Sequence, residues 1–231
     1  CGVLAFIRES HTPQRRHQAR AQGTGRGLAS LLTRRFLGNS LAFSLAFAAM
    51  MAYISASPFL FQIVIGLSVI QYGLLFALVA LVLTATGALS AHLAARVPAR
   101  RLLRLGLSLL LAGSLALVAI VFLGLPAVWT ILPIAISIGS LGLVLGNATS
   151  SAIAAVPQAV GSASAVLGAL SFGLGALVVP LVGLRGERNA GPMALVMAVA
   201  SLLAMAAFLV AVPPSIHTDA GCPPPTVFHP Q

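Results

Sequence analysis

Residues 36–95 read FLGNSLAFSLAFAAMMAYISASPFLFQIVIGLSVIQYGLLFALVALVLTATGALSAHLAA, 60 positions without an Asp, Glu, Lys or Arg. Residues 105–184 extend the same pattern over 80 more, and residues 189–216 add a third charge-free stretch. A water-facing surface of this size needs charge, and none is available here. A bilayer core takes about 20 apolar residues per helical crossing. The first stretch therefore holds two crossings, the second three and the third a sixth. Residues 74–83 are apolar on every side, whereas barrel strands alternate apolar and polar residues. A helix pairs its backbone groups within the segment, as lipid requires. The chain reads as an all-α, polytopic membrane protein.

Composition agrees. Hydrophobic residues make up 59% of the chain and charged residues 7%, against about 45–50% and about 25% in ordinary globular domains. All 13 basic residues are Arg. The net charge of +10 does not mark a nucleic-acid binder, because the Arg residues cluster beside the spans, where they anchor and orient helices. Cys1 and Cys222 stand at opposite ends with no metal spacing between them. The chain opens on Cys, and residues 1–7 are apolar but too short to cross a bilayer. They read as the end of a preceding helix, and the chain as a fragment.

Residues 8–38 read as a basic loop, and residues 39–212 as a six-helix domain with spans near 40–61, 71–93, 102–124, 129–152, 162–184 and 191–212. Pro58 is expected to weaken the first span at its membrane face, with an uncharged turn over residues 62–70. Trp129 at the head of the fourth span fits an interfacial aromatic belt. Residues 213–231 form a Pro-rich tail. With the first basic segment inside, one side of the membrane receives 11 Arg and the other only Arg185 and Arg188, beside Glu187. Both ends of the six-helix unit are then cytoplasmic.

Small residues recur at spacings that let helices approach closely. Gly142 and Gly146 form a Gly-x-x-x-Gly pair, Gly161 opens the fifth span, and Gly168 follows Ser164 by four positions. These four glycines are candidate packing positions. No Asp, Glu, Lys or Arg lies within a span core. A proton relay in a membrane needs an ionisable group, so a coupling residue is expected outside this chain. His92, one turn before Arg96, reads as interfacial. Tyr53, Gln62 and Asn147 are the candidate substrate-cavity residues, each weighed against a hydrogen bond between helices. Phe43, Phe47 and Met50 fall on one face of the first span. There is no carboxylate pair, catalytic triad or phosphate-cradling loop, so no enzyme and no bound cofactor are expected.

The stretch Tyr53-Ile54-Ser55-Ala56-Ser57-Pro58-Phe59-Leu60-Phe61-Gln62, followed by Gly66-Leu67-Ser68 and Gln71-Tyr72-Gly73, resembles the Bcr/CflA drug-resistance transporters of the major facilitator superfamily. So do Gly146-Asn147, the run Gly161-Ser162-Ala163-Ser164-Ala165, and Pro192-Met193-Ala194. The stretch ending in Arg96, Arg100 and Arg101 is similar to a degenerate copy of the superfamily's cytoplasmic loop motif, without its acidic residue. The resemblance covers about residues 31–212. It implies the C-terminal half of a twelve-helix transporter in the bacterial inner membrane. That transporter would be a proton-driven exporter of small amphipathic drugs working by alternating access. Its implied partners are membrane lipid, protons and an N-terminal six-helix half. An exporter of a small metabolite such as a sugar or amino acid, and a non-transporting fragment of a broken gene, are the alternatives.

Overall fold

The computed structural model describes residues 31–183 and 190–211, which are all-helical apart from short connections. Six helices are long and apolar enough to cross a membrane. They are α1 (Arg34–Pro58, prolonged by a π-helix over Phe59–Val64), α2 (Val69–Leu93), α3 (Ala99–Phe122), α4 (Ile131–Ala154, preceded by a 3-10 turn over Ala127–Thr130), α5 (Val160–Gly183) and α6 (Gly191–Ala211). The expected preceding helix, most of the basic loop, the Arg185–Arg188 turn and the Pro-rich tail lie outside the described residues.

Local chemistry sets the helix ends, and it corrects two expectations. Residues 34–38 were expected in the basic loop, but α1 begins at Arg34. Thr33 supplies the cap, its hydroxyl accepting from the Phe36 N–H at 3.4 Å. Phe36 is then buried in a cluster with Ala152, Val156, Ala163 and Leu167, which holds this first turn to α4 and α5. Residues 62–70 were expected as a turn, yet the helix continues past Pro58 to Val64. It does so by widening, with Ile65 N–H donating five residues back to Leu60 at 3.0 Å. The chain turns only at Gly66, whose φ of +83° suits glycine. Two residues later Ser68 and Gln71 form a reciprocal capping box that starts α2.

The helices divide into two inverted triplets. α1 packs chiefly against α6 and α5, the last two helices of the second triplet, while α4 packs against α3 and α2, the last two of the first. α1 also meets α4, and α3 meets α6. This reciprocal exchange matches the nested inverted repeats found in transporter folds. Four helices, α1, α4, α3 and α6, close a central bundle, with α2 and α5 on its flanks.

Small side chains set the bundle's spacing. A methyl group on Gly38 would collide with Ala211 and approach the Ala207 carbonyl at 2.8 Å. On Gly113 it would collide with Ser137 and meet the Pro133 carbonyl at 2.9 Å. Ala and Ser dominate the buried positions of α1 and α6, while Leu, Ile and Val crowd the exterior. Lipid is as apolar as leucine, so helices associate here by close packing and hydrogen bonds. Every described Arg lies at one end of the bundle: Arg34 and Arg35 open α1, and Arg96, Arg100, Arg101 and Arg104 surround the start of α3.

Candidate functional site

α2 and α5 flank the bundle without packing substantially on each other. The strip of α1 between them is the candidate site. Tyr53 and Ser57 mark the side of α1 that meets α2, because Tyr53 stacks on Phe76 and Ser57 shares a hydrogen bond with Tyr72. Phe47 and Met51 mark the side that meets α5, through Phe172 and Gly175. At about 100° per residue, Phe43, Met50 and Ile54 fall in the arc between these sides. Phe43 and Met50 are half-buried and Ile54 is exposed. The floor of this groove is therefore aromatic, thioether and aliphatic, as a site for an apolar or amphipathic molecule requires.

α2 is held to the bundle by two clasps. The first is aromatic. Tyr53 and Phe76 stack with centroids 6.1 Å apart, Tyr72 lies 5.9 Å from Phe76 and 6.1 Å from Phe61, and the Tyr72 and Ser57 hydroxyls are 3.1 Å apart. The second is polar. Asn147 Nδ2 donates to Ser90 Oγ and to the Leu143 carbonyl, both at 2.7 Å. One turn earlier the Thr86 hydroxyl donates to the Gly139 carbonyl of α4 at 2.5 Å. Between these bonds α2 lies on Gly142, where a methyl group would collide with Thr86 and reach Gly87 N at 2.5 Å and the Leu83 carbonyl at 2.6 Å.

This geometry sorts the residues expected from sequence. Tyr53 is 2% exposed, and its hydroxyl has no hydrogen-bond partner among the described residues. Asn147 does not reach the α1 groove, because both N–H donors of its amide are engaged at the α2–α4 seam. Gln62 is half-buried in the π-helical turn at the end away from the Arg residues. The three are not brought together: the Tyr53 partner Phe76 and the Asn147 partner Ser90 are 14 residues apart on α2, about 21 Å along a helix. Gly142 makes a close helix contact, but Gly146, Gly161 and Gly168 do not, since a methyl group there would meet nothing within 4 Å. Gly146 is exposed beside the Asn147–Ser90 bond and its Cβ position faces open space, and Gly161 and Gly168 stand on uncovered parts of α5. Arg96, Arg100 and Arg101 are exposed around the α2–α3 connection.

Ser90, Thr86 and the packing glycines Gly38, Gly106 and Gly113 were not singled out by the sequence reading. Thr86 and Ser90 sit four apart, and Gly106 and Gly113 seven apart. Both spacings place residues on one helix face, a signal that was available. No Asp or Glu occurs among the described residues, so they offer no carboxylate to carry a proton or bind a metal.

The family model of the Major Facilitator Superfamily matches residues 1–180. The uncharacterized MFS-type transporter YdgK of Bacillus subtilis (strain 168) is 28% identical over 182 residues, covering 78% of this chain and 45% of that protein. The bicyclomycin resistance protein homolog of Haemophilus influenzae (strain ATCC 51907 / DSM 11121 / KW20 / Rd) is 24% identical over 207 residues, covering 89% of this chain and 52% of that protein. The chain thus spans about half the length of these curated relatives. Six apolar helices in two inverted triplets, and a family match over most of the chain, lead to one assignment: the chain belongs to the Major Facilitator Superfamily, whose members are transporters and not enzymes.

Proposed function

We propose that this chain supplies spans seven to twelve of a proton-coupled exporter of the bicyclomycin-resistance type in the bacterial inner membrane. The observation that carries the reading is the uncovered groove side of the bundle. Gly161, Ala165, Ala169 and Gly173 recur every four residues along an exposed face of α5, and Gly73, Ala77, Ala80 and Thr84 recur at spacings of four, three and four along α2. Gly73, Gly161 and Gly173 have open space where a side chain would be. Small-residue stripes of this kind accept a closely packed helix. A chain spanning about half the length of its relatives makes an N-terminal six-helix half the natural occupant.

In this arrangement Phe43, Phe47 and Met50 line one wall of a central cavity, with Tyr53 beside them. Their aromatic and thioether surfaces suit an amphipathic drug. The Arg-bearing end faces the cytoplasm, as the concentration of Arg there supports. Proton-carrying groups lie in the N-terminal half, in keeping with the absence of carboxylates among the residues described here. Export then proceeds by alternating access as the two halves rock about the cavity.

The test is efflux by the full-length transporter containing this chain, in a drug-hypersensitive bacterium. The expected result is lowered accumulation of bicyclomycin, abolished by an uncoupler. Export of a labelled sugar or amino acid without drug efflux would transfer the function to a metabolite carrier. No export of either would leave the fragment reading standing.

A further inference from the structure

The Arg-bearing end of the four-helix bundle contains a cavity of about 240 Å³, bordered by Arg35 and Asn39 of α1, Arg100 of α3, Ser151 of α4 and Phe208 of α6. Its polar groups have few alternatives. Among the described residues neither Arg35 nor Arg100 makes a side-chain hydrogen bond or an ion pair, and no Asp or Glu is present to neutralise them. Ser151 is likewise unengaged, although its neighbours Thr149 and Ser150 bond back to carbonyls of their own helix. Asn39 uses one amide N–H on the Arg35 carbonyl at 2.8 Å, which leaves its other N–H available.

The charge balance of this mouth favours an anion. It gathers the N-terminal ends of α1 and α3 and the C-terminal ends of α4 and α6. Each helix end carries about half an elementary charge, positive at the N-terminus and negative at the C-terminus, so the four contributions cancel. Two guanidinium charges remain. Each presents a planar fork of N–H donors that matches phosphate oxygens. A phosphodiester carries one negative charge and a phosphomonoester about 1.5 to 2, which fits this pair. Arg96, Arg101 and Arg104 occupy the same end but do not border the cavity.

We propose that Arg35 and Arg100, with Asn39 and Ser151, bind a phosphate group at the Arg-bearing mouth of the bundle. The group comes either from an anionic phospholipid headgroup, since basic pockets between membrane helices take such headgroups, or from a phosphate in solution. The site does not depend on the identity of the exported cargo.

The test is thermal unfolding of the full 231-residue chain in maltoside micelles free of phosphate and phospholipid, followed through Trp129 fluorescence. One arm adds inorganic phosphate and the other incorporates cardiolipin. The expected result is a rise in Tm in at least one arm: phosphate alone identifies a solution ligand, and cardiolipin alone a headgroup. The double variant Arg35→Gln/Arg100→Gln abolishes the rise, and Arg96→Gln/Arg104→Gln, which removes as much charge outside the cavity, retains it. The single variants Arg35→Lys and Arg100→Lys keep the charge but lose the fork, and each weakens binding about tenfold. They carry the test if the double variant does not fold. Absence of a shift in both arms, equal losses in the two double variants, or unweakened binding by both Lys variants would overturn the proposal.

Discussion

α2 and α5 are the middle helices of the two inverted triplets, and the bundle holds them by opposite means. Among the described residues α2 buries only Val79 and Ser90 fully, yet it is fastened by the Asn147–Ser90 and Thr86–Gly139 bonds and by the Tyr53–Phe76–Tyr72 cluster. α5 buries more, but its described hydroxyl bonds, from Ser171, return to its own helix. It rests on α1 through an edge-on Phe47–Phe172 contact with centroids 5.3 Å apart and through Met51 against Gly175. In lipid, burial alone supplies little drive for helix association. A helix with little buried surface is therefore positioned by directional bonds, while one on an apolar seam can shift along it. α2 should move as one body with α4, and α5 should be the adjustable helix.

The largest expected effect breaks the α2 seam itself. Gly142→Leu drives a side chain into the backbone of Leu83 and Gly87 and should cost about 3 kcal/mol or prevent folding. Gly168→Leu on α5 meets open space in this chain and should change its stability by less than about 0.5 kcal/mol, while weakening co-purification with an N-terminal half. Equal costs in thermal unfolding would erase the contrast. Next comes Asn147→Ala, which removes both 2.7 Å bonds and should cost about 1 kcal/mol. A double-mutant cycle with Ser90→Ala should recover a coupling of about 0.6 kcal/mol or more. Ser171→Ala, the α5 counterpart, should show no coupling to another helix.

Phe172→Ala should cost only about 0.5–1 kcal/mol, because the ring is 69% exposed and its described aromatic partner is Phe47 alone. The smallest stability effect belongs to Tyr53→Phe. The stack on Phe76 survives, and the hydroxyl removed has no described partner, so stability should stay within about 0.5 kcal/mol of the parent. Export of a cargo that bonds this hydroxyl should fall. An unchanged export profile across several drugs would remove Tyr53 from the cargo contacts.

The six helices were legible because lipid imposes long charge-free runs, a constraint written directly in the chain. Helix ends were less so. Pro58 looks like a stop, but the Ile54 carbonyl that its missing N–H leaves open accepts from the Ser57 hydroxyl at 3.3 Å, and a wider turn carries the helix on to Val64. The candidate site was legible only as an inventory of residue types. Gly142 and Gly146 share a face by spacing, yet α2 crosses α4 at the first and not the second, and a crossing point is a property of two helices. Asn147 fits a cavity by type, but the register of α2 hands its amide to Ser90. Phe43 and Met50, noted only as part of a stripe, prove to lie in the arc of α1 between its α2-facing and α5-facing sides.

The most direct test of that placement is cysteine accessibility at Met50 in the full-length transporter, with Cys1 and Cys222 replaced by Ser. Met50→Cys should react with a membrane-impermeant maleimide from one side of the membrane and be protected by bound cargo, while Leu202→Cys on the exposed face of α6 stays unlabelled. A Met50→Cys that no aqueous reagent reaches from either side would contradict the claim that the groove between α2 and α5 is the transport path.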